Sequence, residues 1–105
     1  MAQNRNTQGW LTLRCSLLGT RPLIWREVRL PAKVTLGKMH KVLQVLFEWK
    51  DYHLHEFVHE GVTYQPLHMV EEAEYGDPVD YTKVSLGSLL RRRGHSMLYI
   101  YDLAS

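Results

Sequence analysis

Cysteine, proline and long apolar runs are all scarce in this chain of 105 residues. Its one cysteine, Cys15, has no internal partner, which excludes a disulfide scaffold and predicts a reducing, cytoplasmic environment. No apolar run approaches the ~20 residues that cross a membrane, so no membrane association is expected. The N-terminal residues are polar and lack the apolar segment of a secretory signal. A globular domain is the class that remains.

Positive charge is absent from one long segment of the chain. The net charge of +2 is too small to indicate a nucleic-acid binder, but residues 51–80 hold eight acidic residues and no lysine or arginine. Such segregation predicts an exposed acidic face that can contact a basic partner. The predicted partner-binding residues are five acids of a proline- and glycine-containing loop and one tryptophan on the polar face of a strand: Glu71, Glu72, Glu74, Asp77, Asp80 and Trp25.

The sequence also lacks a recognisable catalytic set. We find no Ser/His/Asp or Cys/His arrangement and no glycine-rich phosphate loop, so we expect a protein that is not an enzyme. His55–His59 matches H-E-x-x-H, but a zinc protease needs this motif on a helix, and its context here is that of a strand. His53 and His55 would share a strand face about 6.7 Å apart, with His59, His95 or Asp102 as conceivable third ligands. Two ligands do not make a metal site, so we expect no cofactor.

Hydrophobic periodicity predicts an α+β domain. Alternation indicates a hairpin, a three- and four-residue stripe indicates a helix of about four turns capped by Thr35, and shorter elements follow. The helix stripe is expected to pack on Leu13, Val28, Val58 and Leu98 or Ile100. Residues 1–9 are predicted to be a polar tail and residues 10–105 a single domain with a β-grasp, or ubiquitin-like, mixed sheet crossed by one long helix. The predicted elements are strands at 10–18 and 23–30, a helix at 36–49, two strands within 53–64, a loop at 65–80, a short helix at 86–93 and a strand at 97–101.

Several segments together resemble a known family. R-P-L-I-W-R at 21–26, T-L-G-K-M-H at 35–40, the H-L-H-E-F block at 53–57 and Y-I-Y-D at 99–102 resemble motifs of the plasmid pRiA4b ORF-3-like family. The family implies a small α+β domain carried by plasmids, phages and transposons, with no established enzyme activity. Members usually continue after the last motif with F-G-D-x-W, where this chain has Leu103-Ala104-Ser105, so a C-terminally shortened member is expected.

Three functions are consistent with these observations. The first is a non-enzymatic inhibitor of the anti-CRISPR type, which blocks a host RNA-guided nuclease through its acidic 51–80 segment. The second is a nucleic-acid-binding accessory protein of a plasmid or transposon that uses Arg91, Arg92 and Arg93, although we expect weak or no direct DNA binding from so small a cluster. The third is a metal-dependent enzyme built on His53 and His55.

Overall fold

The strands of this protein form two separate sheets. A computed structural model describes the backbone of residues 2–7 and 9–102 and the side chains of residues 9–102. The predicted α+β class is confirmed, whereas the β-grasp layout is not, because a β-grasp has one mixed sheet. In chain order the elements are β1 (Ala2–Thr7), β2 (Trp10–Leu17), β3 (Ile24–Pro31), α1 (Leu36–Leu46), β4 (His55–His59), β5 (Val62–Gln65), α2 (Leu67–Glu71), β6 (Val79–Asp80), α3 (Leu86–Leu89) and β7 (Leu98–Tyr101).

The first sheet is antiparallel, in the order β1-β2-β3. The predicted hairpin of β2 and β3 is present, and its alternation places Leu11, Leu13 and Cys15 in the core. Residues 1–9 were expected to be a polar tail, but Ala2–Thr7 form a strand that pairs with β2. Backbone hydrogen bonds to a preformed strand edge do not require apolar side chains, which is why the polar composition does not reveal this strand.

Helix α1 is shorter than its apolar stripe suggests. The Thr35 side chain accepts a hydrogen bond from the Lys38 amide, as predicted, but the helix ends at Leu46 instead of near Trp49. Glu48 adopts a left-handed conformation with φ of 58°, and the Trp49 amide bonds back to the Gln44 carbonyl, which closes the helix one turn early. In the described part of the chain, no helix has the length and apolar character needed to cross a membrane.

The second sheet has the order β6-β5-β4-β7. The predicted break near Gly61 is the turn between β4 and β5, and the predicted last strand is β7. Residues 65–80 are not simply a loop, because they contain α2 and also β6, which pairs in parallel with β5. These elements were missed because α2 has five residues and β6 has two, too few for a periodic pattern.

The second sheet turns its histidine-bearing face toward the core. His55, Phe57 and His59 are buried along β4, whereas Val58 is only half-buried. The expected packing of Val58, Leu98 or Ile100 against α1 is therefore wrong, and Phe57, Met97 and Tyr99 occupy those places. The face of β4 that carries His55 and His59 can lie toward the core because both rings are hydrogen-bonded, and a buried polar group costs little once it is paired.

A five-residue motif occurs twice and joins the two halves of the fold. K-V-T-L-G at 33–37 and K-V-S-L-G at 83–87 precede or begin α1 and α3. The two copies meet at an antiparallel bridge between Thr35 and Ser85. The Leu36 amide donates to the Val84 carbonyl at 2.9 Å, and the Leu86 amide donates to the Val34 carbonyl at 2.8 Å. This reciprocal pairing holds the start of α1 against residues 84–86, which lead from β6 into α3.

Candidate metal centre

Three residues with metal-ligating atoms meet between α1 and the second sheet. His40 lies in α1, Asp51 lies in the loop that follows it, and His55 begins β4. One ligand atom from each, an imidazole nitrogen or a carboxylate oxygen, lies within 4.8 Å of the other two. Both histidines are buried, whereas the Asp51 side chain is 54 % exposed.

The helix register explains the position of His40. The buried face of α1 consists of Leu36, Met39, His40, Leu43 and Gln44, so two polar residues occupy core positions of an amphipathic helix. The loop after α1 then reverses direction at Glu48 and Asp51, both with positive φ. This reversal brings the Asp51 carboxylate back to α1, where it contacts His40.

A closed ring of four hydrogen bonds holds His40. Its Nε2 lies 2.8 Å from Asp51 Oδ1, and its Nδ1 lies 2.6 Å from the Tyr99 hydroxyl. The Gln44 amide nitrogen donates to the same hydroxyl at 2.9 Å, and the Asp51 backbone amide donates to Gln44 Oε1 at 2.8 Å. A carboxylate only accepts, so Nε2 carries the proton and Nδ1 accepts from Tyr99. The ring fixes the tautomer and the orientation of the imidazole.

His55 is fixed by different contacts. Its ring stacks on His40 with a centroid separation of 3.5 Å and an interplanar angle of 7°, and its Nε2 lies 2.6 Å from the Tyr81 hydroxyl. Burial, and then the neighbouring His40, lower the pKa of His55 to about 4, while burial raises the pKa of Tyr81 to about 12. At neutral pH the imidazole of His55 is therefore uncharged, the form that binds metals.

A cavity of about 480 Å³ opens beside the three residues. It gives small molecules access to the cluster, because it is large enough for many waters and lies next to the exposed carboxylate of Asp51. Two more histidines and a methionine also face it. The residues that line it are His40, Asp51, Tyr52, His53, Leu54, His55, Pro66, His68, Met69 and Tyr81.

The arrangement suits a first-row transition ion. Two imidazoles and one carboxylate are ligands typical of Zn²⁺ and Fe²⁺ sites that keep an open position. Bonds of ~2.1 Å in a tetrahedron place ligand atoms roughly 3.4 Å apart, somewhat closer than the 4.8 Å limit found in this cluster. An ion that replaces the proton between His40 and Asp51 would draw the ligands together, and His40 would then carry its proton on Nδ1 and donate it to the Tyr99 hydroxyl. Tyr99, Gln44 and Tyr81 would then orient the ligands from behind, as outer-shell partners do in metal proteins.

The structure separates the two histidines that the sequence paired. His53 precedes β4 instead of lying on it, and its Nδ1 is 3.2 Å from Asp102 Oδ1. It lines the cavity but is not part of the three-residue cluster. The H-E-x-x-H segment is a strand, as expected, and His59 Nδ1 bonds to the Ser96 carbonyl at 3.0 Å.

The other predicted site residues lie on the surface. The acidic residues Glu71, Glu72, Glu74, Asp77 and Asp80 are all exposed. Hydrogen bonds from Thr82 lower the pKa of Asp80. Trp25 is 45 % exposed on the first sheet, and Arg91, Arg92 and Arg93 are exposed after α3. None of these residues belongs to the cluster of His40, Asp51 and His55.

Sequence reasoning missed His40, Asp51, Gln44 and Tyr99. Tyr99 is separated from His40 by 59 positions, so its contact arises only when β7 pairs with β4. The sequence nevertheless contains a signal for two of these residues, His40 and Gln44, which both lie in α1. His40 is four positions after Leu36 and Gln44 is four after His40, so both fall on the apolar stripe that predicted the helix.

Comparison with known proteins now identifies the chain's relatives. A family model described as plasmid pRiA4b ORF-3-like protein matches residues 10–105. The chain belongs to this family. Segments that carry the resemblance meet at or beside the cluster: the T-L-G-K-M-H segment supplies His40, H-L-H-E-F supplies His55, and Y-I-Y-D supplies Tyr99.

Two relatives show how far the likeness extends. The chain is 34 % identical over 92 residues to an uncharacterized protein, y4hQ, of Sinorhizobium fredii (strain NBRC 101917 / NGR234), covering 86 % of this chain and 45 % of that protein. It also resembles the crystal structure of a protein of unknown function, MM3350 from Methanosarcina mazei Go1. That likeness has a TM-score of 0.74 and 30 % identity, and it covers 94 % of this chain and 56 % of the other. The chain thus spans about half the length of each relative.

Proposed function

We propose that this protein binds a divalent first-row transition ion through His40, Asp51 and His55. The observation that carries the proposal is the convergence of three ligand atoms within 4.8 Å, from three separate elements, beside an accessible cavity. Exposed acidic groups often gather without a ligand, whereas two of the three ligands here are buried imidazoles stacked at 3.5 Å. Hydrogen bonds to Tyr99 and Tyr81 hold the rings in the orientation that a metal requires.

The test is calorimetric titration of the chelator-treated protein with Zn²⁺. We expect one ion per chain, and no comparable affinity for Ca²⁺, which prefers six to eight oxygen ligands. Asp51→Asn removes the anionic ligand at constant size and should weaken Zn²⁺ binding by at least about 10-fold. Asp102→Asn is the matched control, because Asp102 also lies beside a histidine but outside the cluster. The proposal would be contradicted if the wild-type protein did not bind Zn²⁺, or if Asp102→Asn lost Zn²⁺ binding while Asp51→Asn kept it.

The second candidate function is the inhibitor of a host RNA-guided nuclease. One specific observation favours it: all five predicted acidic contact residues are exposed, and residues 51–80 contain no lysine or arginine. Carboxylates on such a face can occupy a basic channel built for phosphates, and their long-range field speeds the encounter. The assignment of the family to plasmids supports a mobile-element context.

A charge-matched pair of triple variants tests the inhibitor function. Changing Glu71, Glu72 and Glu74 to glutamine should slow association with the nuclease at low salt, with a smaller effect near 1 M salt, where the Debye length is about 3 Å. Changing Glu27 and Glu48 to glutamine and Asp102 to asparagine removes the same charge outside residues 51–80 and should leave the association rate nearly unchanged. Equal association rates for the two triple variants would exclude the acidic segment as the contact.

A further inference from the structure

The outer face of the first sheet carries an unusual set of exposed side chains. Two tryptophans, Trp10 and Trp25, are 42 % and 45 % exposed at opposite ends of the β2–β3 hairpin. Tryptophan is highly buried on average, and an exposed pair on one sheet face is a common mark of a binding surface. The inner face of the same hairpin is occupied by core residues, and the outward residues of β2 and β3 include none of the buried hydrophobic ones.

Arginines lie between the two tryptophans. The strand register places Trp25 opposite Ser16 and Arg29 opposite Thr12. Ser16 and Thr12 lie on the same face of β2 as Trp10 and Arg14, so the two tryptophans and the two arginines share one face of the sheet. The Arg14 guanidinium lies 4.4 Å from the Trp25 ring centroid, and that of Arg29 lies 5.3 Å from the Trp10 ring centroid. The face therefore presents, in order along the strands, an aromatic ring, two guanidinium groups and a second aromatic ring.

This pattern matches the chemistry of one class of ligand. Sheet faces with exposed aromatic rings stack nucleobases, and neighbouring cations bind the phosphates between them. Trp10 and Trp25 are about six strand positions apart, roughly 20 Å, which is long enough for several nucleotides. Glu27, opposite Arg14, is the one acid on this face, against six basic residues within residues 1–33. The local charge is thus complementary to a phosphate backbone, in contrast to residues 51–80.

We infer that the outer face of β2 and β3 binds single-stranded nucleic acid, with bases stacked on Trp10 and Trp25 and phosphates paired with Arg14 and Arg29. A duplex fits this face poorly, because its bases are already stacked on each other and cannot reach the tryptophans. None of these four residues belongs to the candidate metal centre of His40, Asp51 and His55. An acidic polypeptide is the competing occupant, and it would bind through the guanidinium groups alone, without stacking on the rings.

Fluorescence anisotropy with labelled 15-mers tests this inference in chelator-containing buffer. The probes are oligo-dT, oligo-rU, a duplex of the same length and a polyglutamate peptide. We expect both single strands to bind at least 10-fold more tightly than the duplex and the peptide. The ratio of the affinities for oligo-rU and oligo-dT then shows whether the protein binds single-stranded RNA or single-stranded DNA more tightly. Duplex or peptide binding as tight as single-strand binding would overturn the inference.

Variants with a retained fold localise the binding. Trp25→Ala should weaken single-strand binding by about 5- to 100-fold, as the loss of one stacked base does, while Trp25→Phe should restore most of it. Changing both Arg14 and Arg29 to glutamine should reduce the slope of log affinity against log salt by about 1.4, since each phosphate contact in a single strand contributes ≈ 0.7. The matched control changes Arg91, Arg92 and Arg93 to glutamine and should alter affinity less than threefold. Loss of binding in that control, or unchanged binding in Trp25→Ala with a native thermal melt, would overturn the assignment.

Discussion

The Tyr99 hydroxyl is the residue-scale feature on which the centre depends most. It accepts from Gln44 and donates to His40, so it links α1 to β7 at a partly buried position. Burial raises the pKa of this phenol well above its ordinary value, so the hydroxyl stays protonated and available as a hydrogen-bonding group at neutral pH. Its role in our account is to position His40, and it is not a ligand.

Tyr99→Phe should therefore affect both stability and metal affinity. Removing the hydroxyl leaves His40 and Gln44 without a shared partner, which should lower the free energy of unfolding by about 1–3 kcal/mol in urea denaturation. Zn²⁺ affinity should fall by about 10- to 100-fold, as for other outer-shell substitutions. Tyr75→Phe, at a side chain that is 88 % exposed and outside the cavity beside the cluster, is the control and should change neither quantity. Wild-type Zn²⁺ affinity in Tyr99→Phe would show that the ring of four hydrogen bonds around His40 does not contribute to metal binding.

The lowered pKa of His55 predicts an acid-sensitive fold in the absence of metal. Its pKa is about 4 in the folded protein, against 6.5 for an ordinary histidine, so the unfolded chain binds more protons between these values. The stabilisation is complete above about pH 6.5 and is lost as the pH falls toward 4, with a total of roughly 3 kcal/mol. Urea denaturation of the chelator-treated protein at several pH values measures it. His55→Gln should flatten this pH dependence and His95→Gln should not; the reverse pattern would assign the acid sensitivity to another group.

Individual site residues were only partly predictable from the sequence. His55 was recognised because an H-L-H segment stands out, but its partner was taken to be His53, two positions away. The true neighbour, His40, comes from a helix, and Asp51 reaches it through a left-handed turn that residue types alone do not reveal. Such contacts depend on how α1 lies against β4 and β7, and single-sequence patterns contain no information on that packing.

At the scale of elements, the repeated K-V-[TS]-L-G motif sets how closely the two halves approach. Gly37 and Gly87 hold equivalent positions in the two copies, but their surroundings differ. A Cβ at Gly87 would lie 2.8 Å from Ala32 Cβ and 3.0 Å from the Ala32 carbonyl oxygen. A Cβ at Gly37 would lie 3.4 Å from one Tyr81 ring carbon, an ordinary contact distance. The close approach of the Gly87 backbone also allows its amide to donate to the Ala32 carbonyl at 2.8 Å.

Alanine at these two glycines should therefore have opposite effects. Gly87→Ala forces backbone apart and should lower the free energy of unfolding by about 1–3 kcal/mol. Gly37→Ala lies in the first turn of α1 and should raise that free energy by up to about 1 kcal/mol through helix propensity. Urea denaturation of the two variants side by side measures the difference. Equal effects in the two variants would mean that the pairing of the two motif copies is looser than described.

Element types were more predictable than their lengths and arrangement. The hairpin, the β4–β5 break and the Thr35 cap all follow from alternation, turn residues and capping chemistry, which act locally. The end of α1 was misplaced because Phe47 and Trp49 continue the apolar pattern beyond the last helical residue. These rings instead stack on each other, 5.2 Å apart, and Trp49 continues the stack to Tyr101. The aromatic stack satisfies the same burial without a further helical turn.

In the molecule as a whole, the candidate metal centre lies where separate parts of the fold meet. Its residues and their hydrogen-bond partners come from α1, the following loop, β4, β7 and the segment after β6. An ion bound there would cross-link these parts in the folded state only. The chain spans about half the length of each of these two relatives.

Binding of an ion to the folded state alone should raise the melting temperature. At a free Zn²⁺ concentration of 100 times the Kd, linkage adds about 2.7 kcal/mol to the free energy of unfolding. For a domain of this size, that corresponds to a shift of roughly 10–20 °C. Differential scanning calorimetry with and without chelator measures it, and Asp51→Asn should show a much smaller shift than Asp102→Asn. A melting temperature that does not respond to Zn²⁺ would contradict a site that joins these elements.

Crystals grown with Zn²⁺ and measured at the zinc absorption edge would show whether His40, Asp51 and His55 bind one ion together. We predict one strong anomalous peak per chain, about 2.0–2.2 Å from Nε2 of His40, an Asp51 carboxylate oxygen and a ring nitrogen of His55. The Tyr99 and Tyr81 hydroxyls should remain within hydrogen-bond distance of the two imidazoles. A peak between His53 and Asp102, or a map with no peak at His40, Asp51 and His55, would contradict the account.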